Sequence, residues 1–250
     1  MVMSVPAATQ TEEVIWHELE CGLYSADLPL WSELASEHPG QLLDVGAGAG
    51  RVTLHLAAEG HAVIALDRSP TLLRALRERA DGLQVRTVCS DARAFELPEQ
   101  RELSLCIVPM QTVQLLGSKQ GRLEFLACAR AHLRRGGLLA CAVVCDVEPF
   151  DSTAEGGPAA ERTRVSDLLY STRATRVALS DSAIVLERER TVQRLGATQR
   201  RTSCEVVELD WVSPAELWSE ARTVGLTPES SRLIEATDEY AGSTIVMLRA

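Results

Sequence analysis

The chain has 250 residues, a formal net charge of −10 and a sequence pI of about 5.1. An acidic balance of that size argues against non-specific binding to nucleic acid or to an anionic membrane surface. Hydrophobic residues make up 46%, enough for a substantial core, and the length suits one α/β domain with an insertion, or a domain and a half.

No run of about 18 apolar residues is present to span a membrane. The N-terminus has no basic stretch followed by an apolar one, as an export leader has. Seven cysteines, at 21, 89, 106, 128, 141, 145 and 204, form no C-x-x-C pair. Most lie in apolar runs, as reduced core thiols do. Cys141 and Cys145 sit inside an apolar strand, where a metal site is not expected. A cytoplasmic protein without a metal follows as the expectation. One lysine, Lys119, stands against 24 arginines, which reads as a genomic bias.

In chain order, residues 1–11 are small and polar and are expected to fray. Residues 12–21 read as a helix, broken by Gly22-Leu23-Tyr24. A second helix, 29–37, ends at His38-Pro39-Gly40. Leu42-Leu43-Asp44-Val45 then reads as a buried strand, with Gly46, Gly48 and Gly50 at alternate positions behind it and a helix over 52–59 closed by Gly60. Strand, glycine turn and helix make one half of a nucleotide-binding unit. The turn needs glycine because the backbone bends sharply and a ligand must approach it closely. N–H groups at the helix start are expected to face that ligand. The next apolar run, 62–66, ends in Asp67, whose carboxylate can accept both hydroxyls of a ribose.

The dinucleotide fingerprint is G-x-G-x-x-G, and here the third glycine comes one residue early. The compact form, Asp44-x-Gly46-x-Gly48-x-Gly50, resembles motif I of the class I S-adenosylmethionine-dependent methyltransferases. The resemblance covers 42–145 by motif and the remainder by architecture. It implies S-adenosylmethionine as cofactor, S-adenosylhomocysteine as product, and a cofactor site of Asp44, Gly46, Ala47, Gly48, Gly50, Asp67 and its neighbour Arg68. It also implies that the N-terminal segments cover the cofactor and that an early tyrosine contacts it. Tyr24 is the candidate, the alternative being that it packs with Trp31.

Ser69-Pro70 reads as an N-cap and first-turn proline, and Leu72, Leu73 and Leu76 form the stripe of the helix that follows. The strand over 83–89 alternates, as an edge strand does. It ends in Ser90-Asp91-Ala92, which resembles the family's adenine-binding position. There Asp91 takes the exocyclic amine and the Ala92 N–H a ring nitrogen; the alternative is a turn carboxylate. The fourth strand, 103–108, brings Val108 and then Pro109-Met110-Gln111-Thr112-Val113-Gln114 to the carboxyl end of the sheet. The Asp/Asn-Pro-Pro-aromatic box of nucleic-acid amino-methyltransferases is missing. The glutamine-rich sequence resembles small-molecule enzymes, with Gln111 and Gln114 as site-lining candidates or as caps of a short helix. A helix over 119–135, stopped by Gly136-Gly137, and an apolar fifth strand over 138–145 complete the alternating pattern of a doubly wound parallel sheet.

From residue 146 the pattern changes to a loop and then three strand-like runs, 168–179, 183–194 and 200–212, separated by turn residues. They form an antiparallel meander that resembles the lid of small-molecule N- and O-methyltransferases. Seven arginines between 173 and 201 read either as a receptor for an anionic acceptor or as cross-strand Arg–Glu pairs. Ser213-Pro214-Ala215-Glu216 is a capping box. A last strand over 243–248 closes the sheet, with an indistinct partner near 231–236.

The expected fold is therefore α/β: a doubly wound, seven-stranded Rossmann-like sheet with an antiparallel β lid inserted after the fifth strand. The expected domains are a helical cap over 1–40, a cofactor-binding core over 41–145, a lid over 146–212 and a closing segment over 213–250. The expected function is methyl transfer to a small-molecule acceptor by a monomer or a homodimer formed through the lid. The alternatives are a non-catalytic S-adenosylmethionine-binding module and, less well matched by the glycines, a nicotinamide oxidoreductase. A hydroxyl acceptor usually needs a base and a neutral amine needs none that is strong. The candidate bases are His17, Tyr24 and Tyr170, and the want of an obvious one favours a nitrogen acceptor.

Overall fold

A computed structural model of the chain describes residues 11–97, 102–152, 158–237 and 240–250. The terminus expected to fray lies almost wholly outside the described residues. In chain order the elements are α1 (Glu12–His17), α2 (Leu28–Glu37), β1 (Gln41–Val45), α3 (Arg51–Ala58), β2 (Val63–Asp67), α4 (Pro70–Arg79), β3 (Val85–Cys89), β4 (Leu103–Val108), α5 (Ser118–His132), β5 (Leu133–Val143), β6 (Phe150–Asp151), β7 (Glu161–Val165), β8 (Leu168–Leu179), β9 (Ala183–Arg194), β10 (Arg200–Asp210), α6 (Pro214–Thr223), β11 (Thr227–Pro228), β12 (Arg232–Ile234) and β13 (Ser243–Arg249). They form two compact units. One takes the chain up to Leu23 together with Val147–Trp211, and the other takes Tyr24–Asp146 and Val212–Ala250.

The larger unit is built on a sheet of order β11-β13-β5-β4-β1-β2-β3, with β12 also paired to β13. β1, β2, β3, β4 and β5 are mutually parallel, and β13 runs antiparallel to β5. β4 is buried at every residue, as a strand covered on both faces is: five of its six residues are apolar, and the sixth, Ser104, donates its hydroxyl to Gln41 O. β3 lies at the expected edge, although its first four residues are half-buried and Cys89 exposed, rather than alternating. The cause is that Val85 packs on one face of the sheet and Val88 on the other. The sheet has eight strand segments in seven positions, because β11 and β12 pair with opposite ends of β13. The indistinct closing strand is thus a broken one.

α5 stops at His132, three residues short of the expected end, and β5 begins at Leu133. The Gly136-Gly137 pair is a strand irregularity rather than a helix stop. Gly136 has φ +75°, its N–H donates to Ala250 O at 2.8 Å, and the register of β5 on β4 shifts between Leu103 and Leu105. Two helix signals are as expected. Ser69 Oγ accepts from the Leu72 N–H at the start of α4, and Ser213 and Glu216 make both bonds of the capping box at α6.

The smaller unit is a five-stranded antiparallel sheet of order β10-β9-β8-β6, with β7 on β8. β8, β9 and β10 are the three expected runs. β6 has two residues and β7 reads Glu-Arg-Thr-Arg-Val, so neither carries apolar alternation in its sequence. α1 ends earlier than expected, at His17, and continues as a π-helical turn, Glu18–Gly22. Ile15, Trp16 and Leu19 pack there with Tyr170.

A candidate ligand site at the glycine turn

The strand order reverses between β4 and β1, and in open α/β sheets ligands bind at the carboxyl ends of the strands beside such a reversal. The glycine turn lies there. Gly46, Gly48 and Gly50 have φ of +73°, +54° and +100°, a region that disfavours side chains. A Cβ on Gly46 would stand 2.5 Å from Thr112 Oγ1, and one on Gly50 would collide with the Leu76 side chain. The backbone donors of the turn are largely committed. The Gly46 and Ala47 N–H groups donate to Leu66 O at 2.8 and 3.0 Å, that of Gly48 to Asp67 Oδ2 at 2.8 Å, and that of Gly50 to Ala47 O at 2.9 Å. These four N–H groups lie in the turn ahead of α3 and are not free to face a ligand. A dinucleotide's pyrophosphate would need such donors.

Asp44 is the penultimate residue of β1 and is 1% exposed. Thr53 Oγ1, on the first turn of α3, donates to its Oδ2 at 2.6 Å, while its Oδ1 is buried with no partner among the described residues. Burial pushes the carboxyl up to about 6, against the opposing pull of the Thr53 bond and of Arg51. Arg51, the first residue of α3, is itself held by Asp27 at the start of α2, with Nη1 to Oδ1 at 2.5 Å and Nη2 to Oδ2 at 2.7 Å. Trp31 Nε1 donates to the same carboxylate at 2.8 Å. This buried pair was not legible in the sequence, since its halves lie on different helices and share no local pattern.

Asp67 ends β2, and each of its oxygens accepts one backbone N–H, Oδ2 from Gly48 and Oδ1 from Ser69, both at 2.8 Å. The two bonds fix the carboxylate beside the turn, and a carboxylate oxygen can accept more than one donor. Arg68 is exposed next to it. Asp91 is exposed at the end of β3 and is engaged by Arg93, whose Nη2 lies 2.6 Å from Oδ2 and whose backbone N–H lies 2.8 Å from Oδ1. The Arg93 side chain, then its N–H, hold the Asp91 carboxyl down at about 2. In this state Asp91 is a turn carboxylate. Ala92 packs partly against the core, and Val108 is fully buried at the end of β4.

Tyr24 is buried in the same core cluster as Trp31, and its ring lies against that of Tyr240, with ring centroids 4.8 Å apart. The Arg51 guanidinium lies 5.1 Å from the Tyr24 ring centroid, and Arg51 Nη1 donates to Tyr24 O at 2.9 Å. Tyr24 Oη is buried with no partner among the described residues. Burial first, and Asp27 second, push this phenol up to about 12, so at neutral pH it is a donor and not a base. Gln111 stands at the N-cap position of the 3₁₀ turn Thr112–Leu115 without a side-chain cap bond, and is half-buried. Gln114 is 1% exposed and serves the fold: its Nε2 donates to Val144 O at 3.1 Å and its Oε1 accepts the Val144 N–H at 2.9 Å. These bonds fasten the 3₁₀ turn to the residue beyond β5, a role that neither the site-lining nor the helix-capping expectation for Gln114 included. Thr112, passed over in the sequence, is the side chain that meets Gly46.

His17 and Tyr170 belong to the smaller unit. His17 is the last residue of α1, and Tyr170 is 4% exposed with its ring edge-on to Trp16 at 5.2 Å. Six of the seven arginines between 173 and 201 are ion-paired: Arg173–Glu189, Arg176–Glu187, Arg188–Glu161, Arg190 with Glu20 and Glu205, Arg194–Asp167 and Arg201–Glu12. The patch is a set of cross-strand and strand–helix pairs, the second of its two readings.

Residues 42–137 match the family model described as a methyltransferase domain. No curated protein sequence matches the chain. Among solved structures, the chain resembles the sugar N-methyltransferase KedS8 from Streptoalloteichus, at 15% identity over 100% of this chain and 97% of that one, with a TM-score of 0.72. It also resembles the S-adenosylmethionine-bound amino pentose methyltransferase CalS10 from Micromonospora echinaspora, at 21% identity over 94% and 97% of the two chains, with a TM-score of 0.69. A third is the 1,6-didemethyltoxoflavin-N1-methyltransferase of Burkholderia thailandensis, at 19% identity over 94% and 80%, with a TM-score of 0.55. The likeness establishes the Rossmann-like fold with its separate antiparallel sheet.

Proposed function

We propose, for a chain whose residues 42–137 match the model of a methyltransferase domain, that it transfers a methyl group from S-adenosylmethionine to a small-molecule acceptor, a nitrogen in preference to an oxygen. The observation that carries this is the constellation around the glycine turn: an unpartnered buried oxygen on Asp44, a turn whose N–H groups are spent internally, and a fixed carboxylate at Asp67. It fits a cofactor with a ribose and an ammonium but no phosphate. The similar structures named for an amino pentose and a sugar N-acceptor support a small amine-bearing acceptor.

When bound, S-adenosylmethionine supplies a sulfonium methyl open to in-line attack, so the protein has mainly to orient and dehydrate the partners. In this reading Asp44 Oδ1 takes the ammonium of the amino-acid end. Asp67 receives the ribose hydroxyls on the oxygen lone pairs that the Gly48 and Ser69 N–H groups leave open. Asp91 turns from Arg93 to the adenine amine, with the Ala92 N–H beside it. Arg68, Val108 and Gln111 line the remainder. No base is required of His17, Tyr24 or Tyr170, because a neutral amine loses its proton to water after the methyl has moved.

The test is calorimetric titration of the purified protein with S-adenosylmethionine, S-adenosylhomocysteine and NADH. Micromolar binding of the first two and none of the third is expected, and Asp67→Ala weakens both by about tenfold or more, because it removes a charged acceptor. Binding of NADH alone would sink the proposal. A screen of small amines for methylated product then separates an enzyme from a binding module, which would bind the cofactor and release nothing.

A further inference from the structure

We propose that Tyr240 is a positioning residue of this site, holding Tyr24 so that the Tyr24 hydroxyl meets the carboxylate of the bound amino-acid group. The proposal rests on the cofactor assignment above, and the topology of the closing strands places Tyr240. β13 runs antiparallel to β5, with Thr244 opposite Val143, so the chain enters β13 at the carboxyl end of the parallel strands. Tyr240 precedes Ser243 by three residues and so lies at the edge where open α/β sheets receive ligands.

Tyr240 is also held there. The Thr237 N–H donates to Tyr240 O at 2.9 Å, and the Tyr240 N–H donates to Thr237 Oγ1 at 3.0 Å. Its ring is tilted 41° on that of Tyr24, at a centroid distance of 4.8 Å that suits aromatic pairs. Tyr24 is tied in turn to Arg51, which directly follows Gly50, by the bond to its carbonyl and by the guanidinium beside its ring. Tyr24 and the glycine turn are thus linked through one residue.

The ligand chemistry follows from what is left unsatisfied. Tyr24 offers a buried hydroxyl with no acceptor, and Asp44 offers a buried carboxylate oxygen with no donor. Asp27 and Arg51 act on both groups. Leaving such groups unmatched is unfavourable, and a ligand that matches them recovers the loss. An ammonium for Asp44 and a carboxylate for Tyr24 together describe an α-amino acid. Asp27 does not repel that carboxylate strongly, because Arg51 pairs with both of its oxygens.

The experiment is calorimetric titration of the full chain and its variants with S-adenosylhomocysteine and with methylthioadenosine, which lacks the amino-acid end. Tyr240→Ala is expected to weaken S-adenosylhomocysteine by about five- to tenfold and methylthioadenosine by less than about twofold. Tyr240→Phe keeps both within about twofold, because the ring makes the contact, and Tyr24→Phe reproduces the selective loss. Tyr240→Leu, which keeps apolar volume without a ring, replaces the alanine variant if that does not fold. Unchanged affinity for S-adenosylhomocysteine, or an equal loss for both ligands, overturns the role of Tyr240 while leaving the cofactor assignment standing. Failure of the wild-type chain to bind either ligand overturns both.

Discussion

Asp44 shows how a residue proposed to hold a ligand is destabilising without one. Its folded carboxyl titrates at about 6, against an ordinary value of 3.8. Between those two values the folded chain keeps a proton that the unfolded chain has lost. Stability therefore falls as pH rises through that window and stays reduced above it. Asp44→Asn, which can still accept the Thr53 bond, is expected to raise stability at pH 7.5 by on the order of 1–3 kcal/mol in urea denaturation. The same variant should weaken S-adenosylhomocysteine by about tenfold or more. An ammonium ligand favours the charged carboxylate, so wild-type affinity should decline as pH falls through about 6, and that decline should be absent from the variant. A pH series of titrations on both proteins checks this.

At the scale of elements, the turn after β4 is fastened by side chains rather than by ladder bonds. Gln114 from the 3₁₀ turn closes on Val144 just beyond β5, giving that residue both a donor and an acceptor. Gln114→Leu strands both backbone groups of Val144 in the core. It is expected to cost about 2–4 kcal/mol by denaturant melting. Catalytic efficiency measured well below the melting range should change by less than about threefold. A collapse of activity in a folded Gln114→Leu protein would return Gln114 to the site. Thr112 and Met110 belong to the same turn, and Met110 has φ +55°, a conformation uncommon outside glycine and asparagine. The turn between β4 and α5 is thus a constrained connection at the carboxyl end of the sheet.

At the scale of the molecule, each unit carries its own core, and no helix among the described residues is long and apolar enough to cross a membrane. Within the larger unit the closing segment is joined to the parallel core by a buried ion pair. Arg122 on α5 donates to Glu220 on α6 from Nε and Nη2, at 2.9 and 2.8 Å, across 98 residues of chain. Their side chains are 7% and 4% exposed, so removing one partner leaves the other charged and desolvated. Arg122→Met is expected to cost about 3–5 kcal/mol, and adding Glu220→Leu should recover most of it. A double-mutant cycle in guanidinium measures the coupling, and full additivity would show that the pair contributes nothing.

The sequence by itself determined the parallel core, because strands buried on both faces must be continuously apolar and because glycines at alternate positions allow the turn that follows β1. It also determined the acidic ends of β1 and β2, the Ser213 cap and the three long strands of the inserted sheet, each of which is written in neighbouring residues. What lay between distant segments was decided only by the tertiary structure. The pairing of Arg51 with Asp27, the tilted contact of Tyr24 with Tyr240, the commitment of Gln114 to Val144 and the pairing of six arginines with glutamates and an aspartate each join residues from separate elements. The fate of Gly136-Gly137 was decided in the same way, since a glycine pair reads alike as a helix stop or a strand irregularity until the partner strand sets its register. The physical reason is common to these cases: a side chain's role depends on which unsatisfied group or opposite charge the fold brings beside it, and that neighbour is not encoded locally.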